Sequence, residues 1–418
     1  MNILTKRHNE ILKTDNPLSG FTVFVAVVCI LNLVLNTING RFWLSDFKVY
    51  YMAAKNLLSG GQVYLLSFSD GSGFYKYSPF TLFFFLPYCI FNYTVASIIH
   101  FFILSFSFWY TFLIIRKILT DFFDKGSAKH EGLLLSLSFF CILLHLVREL
   151  YLGNINIVLL LLCALALRDY LSGKPFWGSI LFGIVLLTKP FFLILIIPLI
   201  FRKQWKALLW LSLILITGLL LPFLFPGPGK SFILYSAWIK TMLIHDQGFP
   251  GMNSLVYILQ YYFSRELPYY VEYIIILIAG TAVSFFILMN LRKEHKSLKM
   301  REYANRNFIF EWFIILALIP NLVKTDSEHF LNSAPILIFI IYYIGTTRKY
   351  WLIPVMIILI FCYGGNSTDL LGKTLSMNLF SMGLLGISNI FIIFLSFFLY
   401  LDFRKKMWII RDKEGSSF

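Results

Sequence analysis

Long apolar runs alternate along the chain with short polar breaks. Runs at roughly 20–39, 94–115, 132–147, 153–168, 175–188, 190–201, 207–225, 268–291, 307–322, 330–346, 351–364 and 383–402 read as membrane helices, about twelve (11–13) in all. Several fall short of the ~20 residues of an upright crossing, so their ends are loosely set. No lipid-facing backbone can be left unpaired, and no dyad alternation marks a barrel strand, so the expected class is an all-α polytopic membrane protein. The whole chain, 1–418, reads as one transmembrane domain. Two outer loops interrupt it, 40–78 and 226–267, both with Gly, Pro and aromatic residues.

Three stretches carry more detail. In 45–64, Phe47, Tyr50, Tyr51, Ala54, Leu57 and Leu58 recur at helical spacing, which predicts an amphipathic helix lying on the bilayer surface and stopped by Gly60-Gly61. The piece 79–91 cannot cross without inverting everything after it, so it is expected to be re-entrant or interfacial. The stretch 175–201 can be one span kinked at Pro190 or two short helices meeting at Lys189-Pro190; the charges at 202–206 favour the second, since proline suits a first helical turn.

Composition agrees: 58% of the 418 residues are hydrophobic and only 14% charged, where about 25% charged is ordinary for a soluble domain. The net charge of +15 does not point to nucleic acid, because the basic residues sit in short clusters between the spans. With the N-terminus cytoplasmic, 25 of the 36 Lys and Arg fall on the cytoplasmic side, which sets the orientation. Lys6, Arg7 and Lys13 precede the first span with no small-residue cleavage site, so a retained helix is expected rather than a removed leader. The five cysteines lie in apolar stretches without metal or redox spacing and read as core residues.

On this map the unusual polar residues gather outside, at helix ends rather than at the midplane where a transporter would place them. Asp46 opens the surface helix and can be a catalytic acid or a helix cap; the local sequence leaves both open. Lys189 can serve a site or snorkel to headgroups. His329 can bind phosphate or simply hydrogen-bond at the interface. Arg148 and Glu149 can form a local ion pair, and Lys76 among tyrosines a cation–π anchor. Gly153, Asn154 and Asn156 can cap a helix.

The stretch D-F-K-V-Y-Y-M-A-A-K-N-L-L-S-G-G-Q-V-Y, with Y-K-Y-S-P after it, resembles the first-loop signature of glycosyltransferase family 87. G-N-I-N at 153–156, L-L-T-K-P at 186–190, G-M-N-S at 251–254 and S-E-H-F-L-N-S-A-P at 327–335 resemble later family segments in the same order. Asn154 stands where the family has Gln, and Met252-Asn253-Ser254 is not a full Asn-Gln-Ser. The resemblance implies a GT-C fold and transfer of a hexose, mannose foremost, from a polyprenyl-phosphate sugar to a glycan or glycolipid acceptor. Membrane lipids are then the other partners, and the site faces the periplasm or exterior of a bacterial inner membrane.

The resemblance further implies Asp46 as the base of an inverting displacement. Lys189 and His329, then Lys76 and Arg148, are the expected donor-phosphate ligands. Tyr50, Tyr77, Asn154, Asn156, Asn253, Ser254 and Glu328 are the expected substrate-binding residues. No cofactor and no metal are expected, since a lipid-phosphate donor demands neither. Two rivals remain at this level: a lipid-linked-glycan flippase or other transporter, and a non-catalytic membrane subunit.

Overall fold

The computed structural model describes residues 16–68, 73–123, 131–225, 227–248, 251–263, 267–268, 270–294 and 300–415. The expected basic loops around Lys125, Lys129, Lys296 and Lys299 lie outside these residues. Among the described residues the chain is helical, with one isolated bridge between Ser67 and Phe74. The main helices are α1 (Asn16–Ile38), α2 (Ser45–Leu58), α3 (Tyr93–Phe122), α4 (Glu131–Cys141), α5 (Leu143–Leu152), α6 (Asn156–Leu171), α7 (Pro175–Thr188) and α8 (Trp205–Leu220). They continue as α9 (Pro228–Gly248), α10 (Leu255–Phe263), α11 (Tyr270–Glu294), α12 (Met300–Leu322), α13 (Ala334–Thr347), α14 (Ile353–Gly364) and α15 (Leu384–Gly415).

Six helices among the described residues are long and apolar enough to cross a membrane: α1, α3, α8, α11, α13 with its preceding turn, and α15. A seventh is possible if α4 and α5, bent by 63° at their junction, act as one span. Of the expected crossings, about twelve, length and composition bear out these six or seven among the described residues. At 1.5 Å per residue the 14 residues of α7 reach only about 21 Å, short of the ~30 Å hydrocarbon core. Helix α12 is long enough but carries Arg301, Glu302, Arg306 and Glu311. It is packed on α11, α15 and the turn before α13.

Burial sorts the helices into perimeter and centre. The window of α11 is only 17% buried by protein, whereas that of α13 is 83% buried, so α11 offers its side chains to lipid and α13 is encased. Gly183 of α7 faces Ile214, and Gly218 of α8 faces Leu187, so missing side chains let these two helices close on one another. The five cysteines are free.

The segments of uncertain character resolve locally. Residues 79–90 form three consecutive short helical turns rather than a crossing helix. The stretch 175–201 is broken: α7 ends at Thr188, Lys189 is extended (φ −133°, ψ 94°), and a 3₁₀ turn starts at Pro190. Proline enforces this, because its ring disfavours helical geometry in the residue before it.

Two polar zones lie at opposite ends of α12. Near its start, Arg202 bonds both Glu294 and Glu311, with nitrogen–oxygen distances of 2.8 to 3.2 Å, and Asn290, Asn307 and Arg404 complete the network. Past its far end lie Lys324 and Asp326, about 16 Å of helix beyond Glu311.

One close approach sets the second zone. Gly153, just after α5, has φ +70°, and a Cβ there would stand 2.9 Å from the Cβ atoms of both Leu44 and Phe47. The chain enters α2 through Leu44, itself left-handed at φ 43°, a conformation that costs a non-glycine residue energy. Gly153→Ala is expected to cost about 1–3 kcal/mol, through both the positive φ and the clash. A thermal melt in detergent checks this; an unchanged midpoint would mean that α2 and the 153–156 turn are not so tightly apposed.

Candidate functional site

Between α2, the 74–77 strand-like segment, the start of α6, the Lys189 break and the 323–329 turn lies a cavity of about 660 Å³, in the size range of small-molecule sites. Asp46, Tyr50, Lys76, Tyr77, Arg148, Asn154, Lys189, Glu328 and His329 line it. The structure thus brings together residues spread over nearly 300 positions of sequence. Phe74, Phe191, Trp238 and Met242 supply apolar wall, and Trp238 Nε1 ties α9 to this wall by donating to the Lys76 carbonyl at 2.9 Å.

Asp46 sits in the first turn of α2, but the capping position belongs to Leu44 and no side chain caps the helix, so the cap reading of Asp46 is set aside. Its Oδ2 accepts from Asn154 Nδ2 at 2.9 Å. The other oxygen receives no hydrogen bond among the described residues and is left to the cavity. Asn154 is oriented by its own acceptor oxygen, which takes the Ile155 N–H at 2.7 Å, the Tyr77 hydroxyl at 3.0 Å and the Tyr50 hydroxyl at 3.3 Å. Burial pushes both phenols well above their usual range, so they remain donors at neutral pH. Desolvation also lifts the Asp46 carboxyl to about 6; the charges of Glu328 and Asp326 act in the same sense, and Lys76 and Lys189 oppose them.

Lys189 does not snorkel. It is buried, its Nζ donates to Asn156 Oδ1 at 2.5 Å and to His329 Nε2 at 2.8 Å, and it lies 5.4 Å from the centre of the Tyr77 ring. His329 Nδ1 donates to the Asp326 carbonyl at 3.3 Å, which leaves Nε2 as the acceptor for the lysine. An ammonium has three protons, so one remains for the cavity.

Arg148 and Glu149 do not pair with each other, contrary to the local reading. Arg148 reaches across to Glu328. Glu149 turns inward and accepts from Asn156 Nδ2 at 3.0 Å and Ile157 N at 3.1 Å, holding the start of α6. Asn156 is buried behind the wall and touches the cavity only through Lys189. Asn253 and Ser254 do not line the cavity. Asn253 accepts from Gly386 N at 3.2 Å and its carbonyl takes Asn321 Nδ2, while Ser254 Oγ caps the start of α10 at Tyr257 N. Their expected substrate role gives way to a clamp between α10, α12 and α15.

Two further side chains shape the site from behind the cavity wall. Glu149, read in sequence only as a partner of Arg148, is the first. His100 stacks on Phe47 with ring centres 4.2 Å apart, donates Nε2–H to the Gly153 carbonyl at 2.9 Å and accepts the Tyr88 hydroxyl at 3.1 Å. A lone histidine inside the apolar run 94–115 was the available signal. Among the described residues no group of three His, Cys, Asp or Glu is placed to hold a metal ion.

Asn154→Ala is expected to raise the Asp46 midpoint further above about 6, since it removes a donor that stabilises the ionised form. Carbodiimide labelling of Asp46 as a function of pH reads this; a midpoint that stays put would show that the amide does not control the acid.

Comparison with curated proteins returns no match. The family model described as glycosyltransferase family 87 matches residues 74–305. That segment contains Lys76, Tyr77, Arg148, Asn154, Asn156 and Lys189, whereas Asp46, Tyr50, Glu328 and His329 lie outside it and join the site only through the fold. With its apolar helices and a match over more than half its length, this integral membrane protein belongs to glycosyltransferase family 87.

Proposed function

We propose that the protein transfers a hexose, mannose first, from a polyprenyl-phosphate sugar to a lipid- or glycan-linked acceptor at the extracytoplasmic face of a bacterial inner membrane. One observation carries this reading: a carboxylate with one uncommitted oxygen and an ammonium with one uncommitted proton open into the same cavity. The acceptor hydroxyl attacks the anomeric carbon as the bond from that carbon to the phosphate oxygen breaks. Asp46 takes the hydroxyl proton; the lipid phosphate leaves with the electron pair and meets the third proton of Lys189. Base and leaving group on opposite faces of the sugar ring invert the anomeric configuration.

Charge at the two ends of the molecule supports the orientation. The Arg202, Arg306 and Arg404 contacts gather at the end of α12 away from the cavity, the end expected in the cytoplasm. The apolar wall of Phe74, Phe191, Trp238 and Met242 suits a substrate with a lipid tail.

The test is incubation of purified protein with radiolabelled polyprenyl-phosphate sugars and candidate lipid acceptors. Asp46→Asn is expected to lower transfer by about 10²–10⁴-fold while folding and lipid binding persist. Survival of transfer in that variant removes Asp46 as the base.

The same base sets a pH limb. Because the Asp46 carboxyl is raised to about 6, its ionised fraction is lost as pH falls through that value, so the rate drops about tenfold per unit below it. A profile flat down to pH 4.5 would contradict the assignment.

A further inference from the structure

We propose that Glu149 is a positioning residue for this transfer: it is the counter-ion of Lys189, acting through the Asn156 amide, and it keeps the lysine a cation aimed into the cavity. The inference rests on the transfer reading above and names a part of the site that lies behind the cavity wall rather than in it.

The geometry allows little else. Glu149 is fully buried and does not reach the cavity, so it cannot touch substrate. Both its oxygens are engaged, one by Asn156 Nδ2 and one by the Ile157 N–H. Asn156 is therefore polarised, with its amino group toward the carboxylate and its Oδ1 toward Lys189 Nζ, 2.5 Å away. Turning that amide over would set acceptor against carboxylate and donor against ammonium. The observed orientation is the one that suits an ionised acid on one side and a protonated amine on the other.

Isolated buried charges are expensive, whereas two opposite charges bridged by a satisfied hydrogen bond are tolerated. Arg148 cannot neutralise Glu149, because it is spent on Glu328. The remaining charged groups facing Lys189 are Asp46 and Asp326, which favour the cation, and Lys76, which opposes it, with His329 in contact. Glu328 faces Glu149 from the 323–329 side.

The blander role for Glu149 is a cap on α6, and the two roles separate by substitution. Glu149→Gln keeps an oxygen for the Ile157 N–H but loses the charge, and it presents an amino group to Asn156 Nδ2. Glu149→Asp keeps the charge. The full-length protein and both variants, in detergent, are assayed from pH 6 to 10 for binding of polyprenyl phosphate, the proposed leaving group, and for sugar transfer.

For Glu149→Gln, the alkaline limb of both curves is expected to move down by about one pH unit, with about tenfold weaker phosphate binding at pH 8. Its thermal midpoint stays within a few degrees. Glu149→Asp is expected to hold the limb at the parent position with a lower rate. A Glu149→Gln limb that does not move, or a Glu149→Asp limb that moves as far, overturns the inference.

Should Glu149→Gln fail to fold, Asn156→Ser cuts the bridge with the acid left in place. The same downward move is then expected, and an unmoved limb again overturns it. A parent protein that binds polyprenyl phosphate but transfers no sugar removes the transfer reading alone, since the binding curve still tests Glu149. A parent protein that does not bind polyprenyl phosphate removes the inference itself.

Discussion

A lysine ammonium held out of water at a helix break is the constraint from which the site follows. Pro190 forces Lys189 out of helical geometry, so the side chain leaves the α7 axis just where the helix stops. Once there, the amine needs partners, and the fold draws them from separate elements: Asn156 from the start of α6, His329 from the turn before α13, and the ring of Tyr77 from the 74–77 segment. Each partner is fixed in turn. Asn156 is held by Glu149 and His329 by the Asp326 carbonyl, so the cation sits inside a supported shell rather than at the tip of a mobile chain.

The two polar zones of the molecule differ in one respect that separates structure from site. Around Arg202 every charged group is matched, Glu294 and Glu311 by the guanidinium and by Asn307 and Asn290. Such a saturated network joins helices and has nothing left to offer a ligand. Around Lys189 and Asp46 the accounts stay open: a carboxylate oxygen, an ammonium proton and a 660 Å³ space between aromatic walls are uncommitted. In a family of glycosyltransferases that incompleteness is what a sugar donor and an acceptor would fill, and it is why the proposed chemistry belongs at this end of α12.

Asp46 enters the site by a different route from Lys189. It rides on α2, which is not one of the long apolar helices, and its position depends on α2 pressing against a glycine. Gly153 admits the backbone of Leu44 and Phe47, and His100, stacked on Phe47, anchors the Gly153 carbonyl from α3. Asn154, one residue on, can then reach the carboxylate.

Much of this was readable from the chain alone, because a bilayer imposes simple rules. Apolar runs and low charge determined a helical membrane protein, the helical spacing of 45–58 determined α2, and Lys189-Pro190 determined a break. The ordered motifs between 46 and 335 sufficed to mark the family, whose model matches 74–305, and Asp46, Lys189 and His329 stood out among them as groups to share a pocket.

What the chain could not decide was set by packing across long sequence distances. Packing in three dimensions puts the charged start of α12 against α11 and α15 and folds the Lys189 break after α7 over the cavity. Whether Arg148 answers Glu149 or Glu328 depends on a turn 180 residues away. Asn253 and Ser254 look like ligands in a motif and become a clamp only because Gly386 lets α15 come close. Side-chain type is local, but the partner that gives a polar group its role is chosen by tertiary contact.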